Sequence, residues 1–107
     1  MAKFDTDKPP LALIPSEALI EISKVLKFGA DKYGVNNWRK DGHCTSFSRT
    51  YSSIQRHLLA WNAGEDIDPE SGCSHLTHAT TQLIILMIHQ MEHPEVDDRY
   101  SATKDKK

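Results

Sequence analysis

The run Leu83-Ile84-Ile85-Leu86-Met87-Ile88 constrains this chain more than any other segment, because it sits within helical spacing and is apolar on nearly every side. A helix on the surface of a globule needs only one apolar stripe, whereas one that is apolar all round must be covered from several directions. The run is far too short to cross a bilayer, which takes about 20 helical residues, so its cover has to be protein. The rest of the 107-residue chain supplies two further helical stripes, and two helices hardly provide that cover. The pattern predicts an all-α fold: a small helical bundle of about three main helices, completed by oligomerisation.

The first stripe is Ala18, Leu19, Ile22, Val25, Leu26, Gly29, Ala30 and Tyr33, at three- and four-residue spacing. Ser16, just after Pro15, reads as its N-cap and Gly34 as its stop. Phe47, Tyr51, Ile54, Leu58 and Trp61 form the second, ending before Gly64, with Arg56 and His57 on flanking faces. Asp68-Pro69 reads as an N-cap followed by proline at the first helical position, which opens a third helix running to Glu92 and stopped by Pro94. Its predicted core face is Leu76, Ala79, Leu83, Leu86 and Met87; His75, His78, Gln82 and His89 mark a second face. Pro9, Pro10 and Pro15 predict an extended arm over residues 1–15, laid on the body by Leu11, Leu13 and Ile14. Residues 35–46 read as a loop. The organisation is one domain over residues 1–92 and a polar, disordered tail over 93–107.

Charge and cysteine usage narrow the function classes. A net charge of −2 lacks the basic excess of a dedicated nucleic-acid binder. The opening MAKFDTDKPP has no apolar core, so it is no secretory signal. Cys44 and Cys73 fit two free thiols in a reducing compartment, and the expected location is cytoplasmic, with no membrane partner. His43, Cys44, Cys73 and His75 lack finger or ribbon spacing, and there is no GxSxG, P-loop or GxGxxG.

What remains is GEDIDPESGCSHLTH, residues 64–78, with four acids and two imidazoles in one junction. Glu65 and Asp68, helped by Glu70, offer the oxygen ligands that Mg²⁺ or Mn²⁺ prefers, with a phosphate completing the shell. His75 and His78, on one helical face, can serve as ligands, bases or phosphate partners, and an imidazole-containing site tilts the preference towards Mn²⁺ or Co²⁺. Capping and dipole complementation explain part of this acid density. Glu17 and Glu21 read most simply as a solvated face beside Lys24. In the segment KYGVNNWR, Tyr33 or Trp38 can stack on a nucleobase while Asn37 adds an amide; Lys32 or Arg39 can meet phosphate oxygens. Arg56 is a further phosphate candidate, and His57 a second candidate for base or ligand.

Three words of the sequence, KPPLALIPSEAL, FGADKYGVNNWRK and RHLLAWNAGEDIDPESGCSHLTHA, resemble a phage-associated family of dATP/dGTP diphosphohydrolase-like proteins, related to the all-α MazG-like nucleoside triphosphate pyrophosphohydrolases. Together they cover most of residues 8–79 in the family's order. The resemblance implies cleavage of a deoxynucleoside triphosphate between its α- and β-phosphates, with Mg²⁺ or Mn²⁺ held by helix carboxylates, in a dimer or tetramer within the host cytoplasm. The MazG-like pattern of ExxE and ExxD acids is only partly met: Glu65 and Asp68 have the second spacing but precede Pro69, and Glu17 and Glu21 are four apart. On this reading Glu65, His75 and His57 are the catalytic candidates. Glu65, Asp68, Glu70, His75 and His78 are the candidate metal ligands; Lys32, Tyr33, Asn37, Trp38 and Arg56 hold the purine nucleotide. The alternative is a non-catalytic helical module that docks a protein through its third helix.

Overall fold

The computed structural model describes residues 7–40 and 46–100 and contains three α-helices: α1 (Ser16–Tyr33), α2 (Phe47–Asn62) and α3 (His75–Glu92). Short 3-10 turns occupy Leu11–Leu13, Asn37–Arg39 and Pro94–Val96. Among the described residues no strand forms, and one isolated antiparallel bridge joins Ile67 to Ser74. The fold is therefore small and all-α. His43 and Cys44, like the rest of 41–45, lie outside the described residues, as do 1–6 and 101–107.

Helix α3 is the shared element, packing most extensively on α2 and also on α1. Its inward face is not the leucine stripe that the spacing predicts. The buried residues of α3 are His75, His78, Ala79, Thr81 and His89, while Leu76, Leu83 and Met87 are exposed, the last two at 54% each. The other buried apolar side chains are Val25, Phe47 and Ile54. Polar side chains can line this interior where they bond inside it: Thr81 donates to the Thr77 carbonyl, and His89 Nε2 donates to the Trp38 carbonyl at 2.7 Å, although His89 Nδ1 is buried without a hydrogen-bond partner among the described residues. That second bond pins the Asn37–Arg39 turn to α3, and an Arg39–Glu92 ion pair at 2.8 Å reinforces it.

Two helix starts differ from expectation, for local reasons. Ser16 is the first helical residue rather than the cap, because the Pro15 carbonyl already accepts from the Ala18 and Leu19 amides. Helix α3 starts at His75, not at Asp68-Pro69. Asp68 spends its backbone groups across the loop, its amide donating to the Cys73 carbonyl and its carbonyl accepting from Gly72, both at 2.8 Å. Gly72, at φ +75°, reverses the chain there, and Ser74 caps α3 by accepting from the Thr77 amide at 2.9 Å. In the described part of the arm, residues 7–15, Leu11–Leu13 form a single turn, and Leu11 and Leu13 stay exposed rather than packing on the body as expected. Beyond α3, where composition predicts a tail from residue 93, the described part turns back onto α2. There Asp98 accepts from both the amide and the hydroxyl of Ser48, and the Arg99 guanidinium lies over Phe47.

Candidate active site

The end of α2 aims the first functional side chain. Gly64 donates to the Trp61 carbonyl and Glu65 to the Ala60 carbonyl, each at 3.0 Å, with Gly64 at φ +101°. This paired closure satisfies the last carbonyls of the helix and needs a left-handed residue, which glycine supplies without a Cβ clash. It turns Glu65 back towards α3, where Oε1 stands 2.7 Å from His75 Nε2. The other ring nitrogen of His75, Nδ1, lies 2.9 Å from Nδ1 of His57 on α2. His57 in turn stacks flat on His78, with centroids 4.4 Å apart and planes at 5°. His78 Nε2 sits 2.6 Å from the Ser71 hydroxyl and 3.3 Å from Asp68 Oδ2. Ser71 donates to Asp68 at 3.2 Å and accepts from the Cys73 amide at 3.1 Å, so the loop braces His78 much as Glu65 braces His75.

Burial sets the charge of this cluster. It pushes the His57 pKa below the ordinary 6.5; the neighbouring His78 and His75 rings add to the shift, and Asp68 opposes it. His78 is lowered too, again chiefly by burial, with Asp68 pulling the other way. Both rings are therefore neutral at pH 7 and present lone pairs rather than charge.

In front of the stack lies a groove of about 810 Å³, walled by the C-terminal half of α1, the turn after it, α2 and α3. Lys32, Tyr33, Asn37, Trp38 and Arg56, the five residues singled out from sequence as nucleotide contacts, all line it. So do His57, His78, Asp68 and Glu70. Glu65 and His75 are not among its lining residues and act from behind the histidine stack. Lys32 is already paired with Glu70 at 3.0 Å and lies over the Phe28 and Tyr33 rings. Arg56 is exposed, and among the described residues no carboxylate lies within ion-pairing distance of it.

The expected metal ligands do not gather round one point. Among the described residues no three His, Cys, Asp or Glu side chains are arranged to hold an ion. Glu65 serves His75, Asp68 serves Ser71, His78 and the Glu70 amide, and Glu70 serves Lys32. Among the described residues, the donor set Glu65, Asp68, Glu70, His75 and His78 thus does not fit a preformed divalent-ion shell. Glu21 pairs with Lys24 on an exposed face of α1. Two contributors escaped the sequence reading. Phe28 meets His78 edge-on, with centroids 6.5 Å apart; its signal was its place three after Val25 and four before Lys32. Ser71 was marked only by lying three residues after Asp68, the reach of a local side-chain turn.

Comparison with known proteins places the chain in a family. Residues 1–99 match the family described as dATP/dGTP diphosphohydrolase, N-terminal, and the chain belongs to that family. A curated relative, the dATP/dGTP diphosphohydrolase of Salmonella phage PMBT28, is 34% identical over 97 residues. The match takes in 91% of this chain but 32% of the relative, so the chain spans about a third of that protein's length. No solved structure matches the chain. Among the described residues, no helix is long and apolar enough to cross a membrane.

Proposed function

We propose that this domain binds a purine deoxynucleoside triphosphate in the groove and hydrolyses it to the monophosphate and pyrophosphate. The observation that carries the reading is the convergence of two cations, two aromatic rings and an amide on one groove beside neutral histidines. The volume suits a nucleotide, since small-molecule sites span about 300–1,000 Å³. Arg56 is the primary phosphate contact, because Lys32 has to leave Glu70 before it can serve. Tyr33 or Trp38 stacks on the base, and Asn37 stands beside them. The purine preference is taken from the printed name of the phage relative.

The test is direct: incubate the full chain with each of the four dNTPs, with Mg²⁺ and with Mn²⁺, and separate the products. Monophosphate and pyrophosphate in equal amounts are expected, with dATP and dGTP preferred; intact nucleotide in every mixture rejects the activity. Arg56→Ala is expected to raise KM by about tenfold or more, the loss of a charged hydrogen bond. An unchanged KM would remove Arg56 from the phosphate site.

A second reading, a non-catalytic docking module, draws on the exposure of Leu83 and Met87. It is favoured if Leu83→Asp abolishes the biological role while Arg56→Ala leaves it intact.

A further inference from the structure

Glu65, His75 and His57 form a hydrogen-bonded line from the end of α2, across α3, to the groove. Its spacings are 2.7 Å (Glu65 Oε1 to His75 Nε2) and 2.9 Å (His75 Nδ1 to His57 Nδ1). With Glu65 as a carboxylate and one proton on each ring, the geometry sets where those protons lie. A carboxylate accepts, so His75 carries its proton on Nε2. His75 Nδ1 is then an acceptor, and the proton between the two Nδ1 atoms comes from His57. His57 is then protonated on Nδ1 and bare on Nε2. We propose that Glu65 and His75 are positioning residues that lock His57 into this tautomer and so make its Nε2 the general base of the groove.

The proposal rests on the hydrolase reading above and adds which residue takes the proton. His57 lines the groove whereas His75 does not, so the relay ends where the nucleotide would lie. The flat stack on His78 holds the ring against rotation about its χ2 axis. In the step, His57 Nε2 takes a proton from water while the water oxygen bonds to the α-phosphorus. The bond from that phosphorus to the oxygen bridging the β-phosphate breaks, and pyrophosphate leaves with the electron pair. The proton on His57 then passes to solvent. Without the carboxylate nothing in the line selects one tautomer, much as an orienting acid does for the histidine of a serine protease.

The decisive measurement is long-range ¹H–¹⁵N correlation of the imidazoles in the full chain at pH 8. The expected result is a proton on Nδ1 of His57 and on Nε2 of His75, with Glu65→Gln producing a mixture at His57. A proton on Nε2 of His57 in the unaltered chain overturns the proposal, whatever the activity. Turnover supplies the second readout. His57→Asn keeps a donor at the Nδ1 position but no base; His75→Phe keeps a planar ring but removes both the donor to Glu65 and the acceptor for His57. Both are expected to lower kcat by on the order of 10² with KM changed less than about twofold. Equal losses in kcat and in folded fraction, by circular dichroism, would mark the line as structural and overturn the base assignment. If the tautomers are as stated and no nucleotide is cleaved, the relay stands and the hydrolase reading falls.

Discussion

A histidine at neutral pH takes whichever charge its surroundings favour, and for His57 and His78 those surroundings favour neutrality. The groups facing them are His75 across α3, Asp68 and Glu70 from the loop and Arg56 on α2, and burial outweighs the two acids. Because both folded-state pKa values lie below the ordinary 6.5, the unfolded chain takes up protons first as the pH falls. The stabilisation is complete above about 6.5 and is lost as the pH drops through 6.5 towards the folded values. Thermal melts between pH 8 and pH 5 should show Tm falling below pH 6.5, with a shallower fall in His57→Asn. A Tm that rises on acidification, or the same slope in the variant, contradicts this account. At this scale part was legible from the sequence: spacing of three put His75 and His78 on one face, and KYGVNNWR already held Lys32, Tyr33, Asn37 and Trp38 of the groove's lining. What was not legible is the meeting of His57 with His75. It depends on how α2 is rotated against α3, which no local pattern encodes.

At the level of elements, the turn after α2 and the start of α3 decide whether the relay exists. Gly64 adopts φ +101°, and although a Cβ there would meet nothing within 4 Å, an L-residue resists the conformation itself. Gly64→Ala is expected to cost about 1–2 kcal/mol, read as a lower denaturation midpoint. It should also release Glu65, so the tautomer preference at His57 weakens. A stability within about 0.3 kcal/mol of the parent would mean the turn tolerates a side chain. At the other end, Ser74→Ala removes the N-cap of α3 and is expected to cost about 1 kcal/mol, whereas Asp68→Asn, which keeps a hydrogen-bonding side chain, should cost less. The reverse ranking would restore Asp68 as the cap. The misplacement of this start has a physical reason. Asp-Pro is a strong local start signal, but Ser-x-x-Thr at 74–77 is a start signal too, and the Ile67–Ser74 bridge with its turn at Gly72 commits 68–73 to a closed loop. Backbone pairing across this loop outweighed the Asp-Pro start signal.

The whole molecule is unusual in what it leaves outside. A core holding Val25, Phe47, Ile54 and Ala79, with four polar side chains buried beside them, is small for a chain that exposes Leu76, Leu83 and Met87 on α3, Leu59 on α2 and Leu19 on α1. Full burial of a leucine or methionine side chain is worth about 1.5–3 kcal/mol, so covering the α3 stripe alone adds several kcal/mol against a typical total stability of about 5–15 kcal/mol. That gain drives association unless charge opposes it, and residues 76–87 of α3 contain no charged side chain at neutral pH beyond the neutral His78. The single-chain fold thus leaves the apolar run of α3 partly uncovered, as its all-round pattern requires of a helix with too few neighbours. We expect sedimentation velocity at micromolar concentrations to show a dimer or larger assembly, with Tm rising with protein concentration. Leu83→Lys together with Met87→Lys should shift the protein to monomer while its far-ultraviolet spectrum is retained, because neither side chain takes part in the core. A parent that sediments as a monomer at every concentration would remove self-association. The exposed stripe would then have to be covered by another protein, or by sequence of the kind that makes up the other two-thirds of the phage relative.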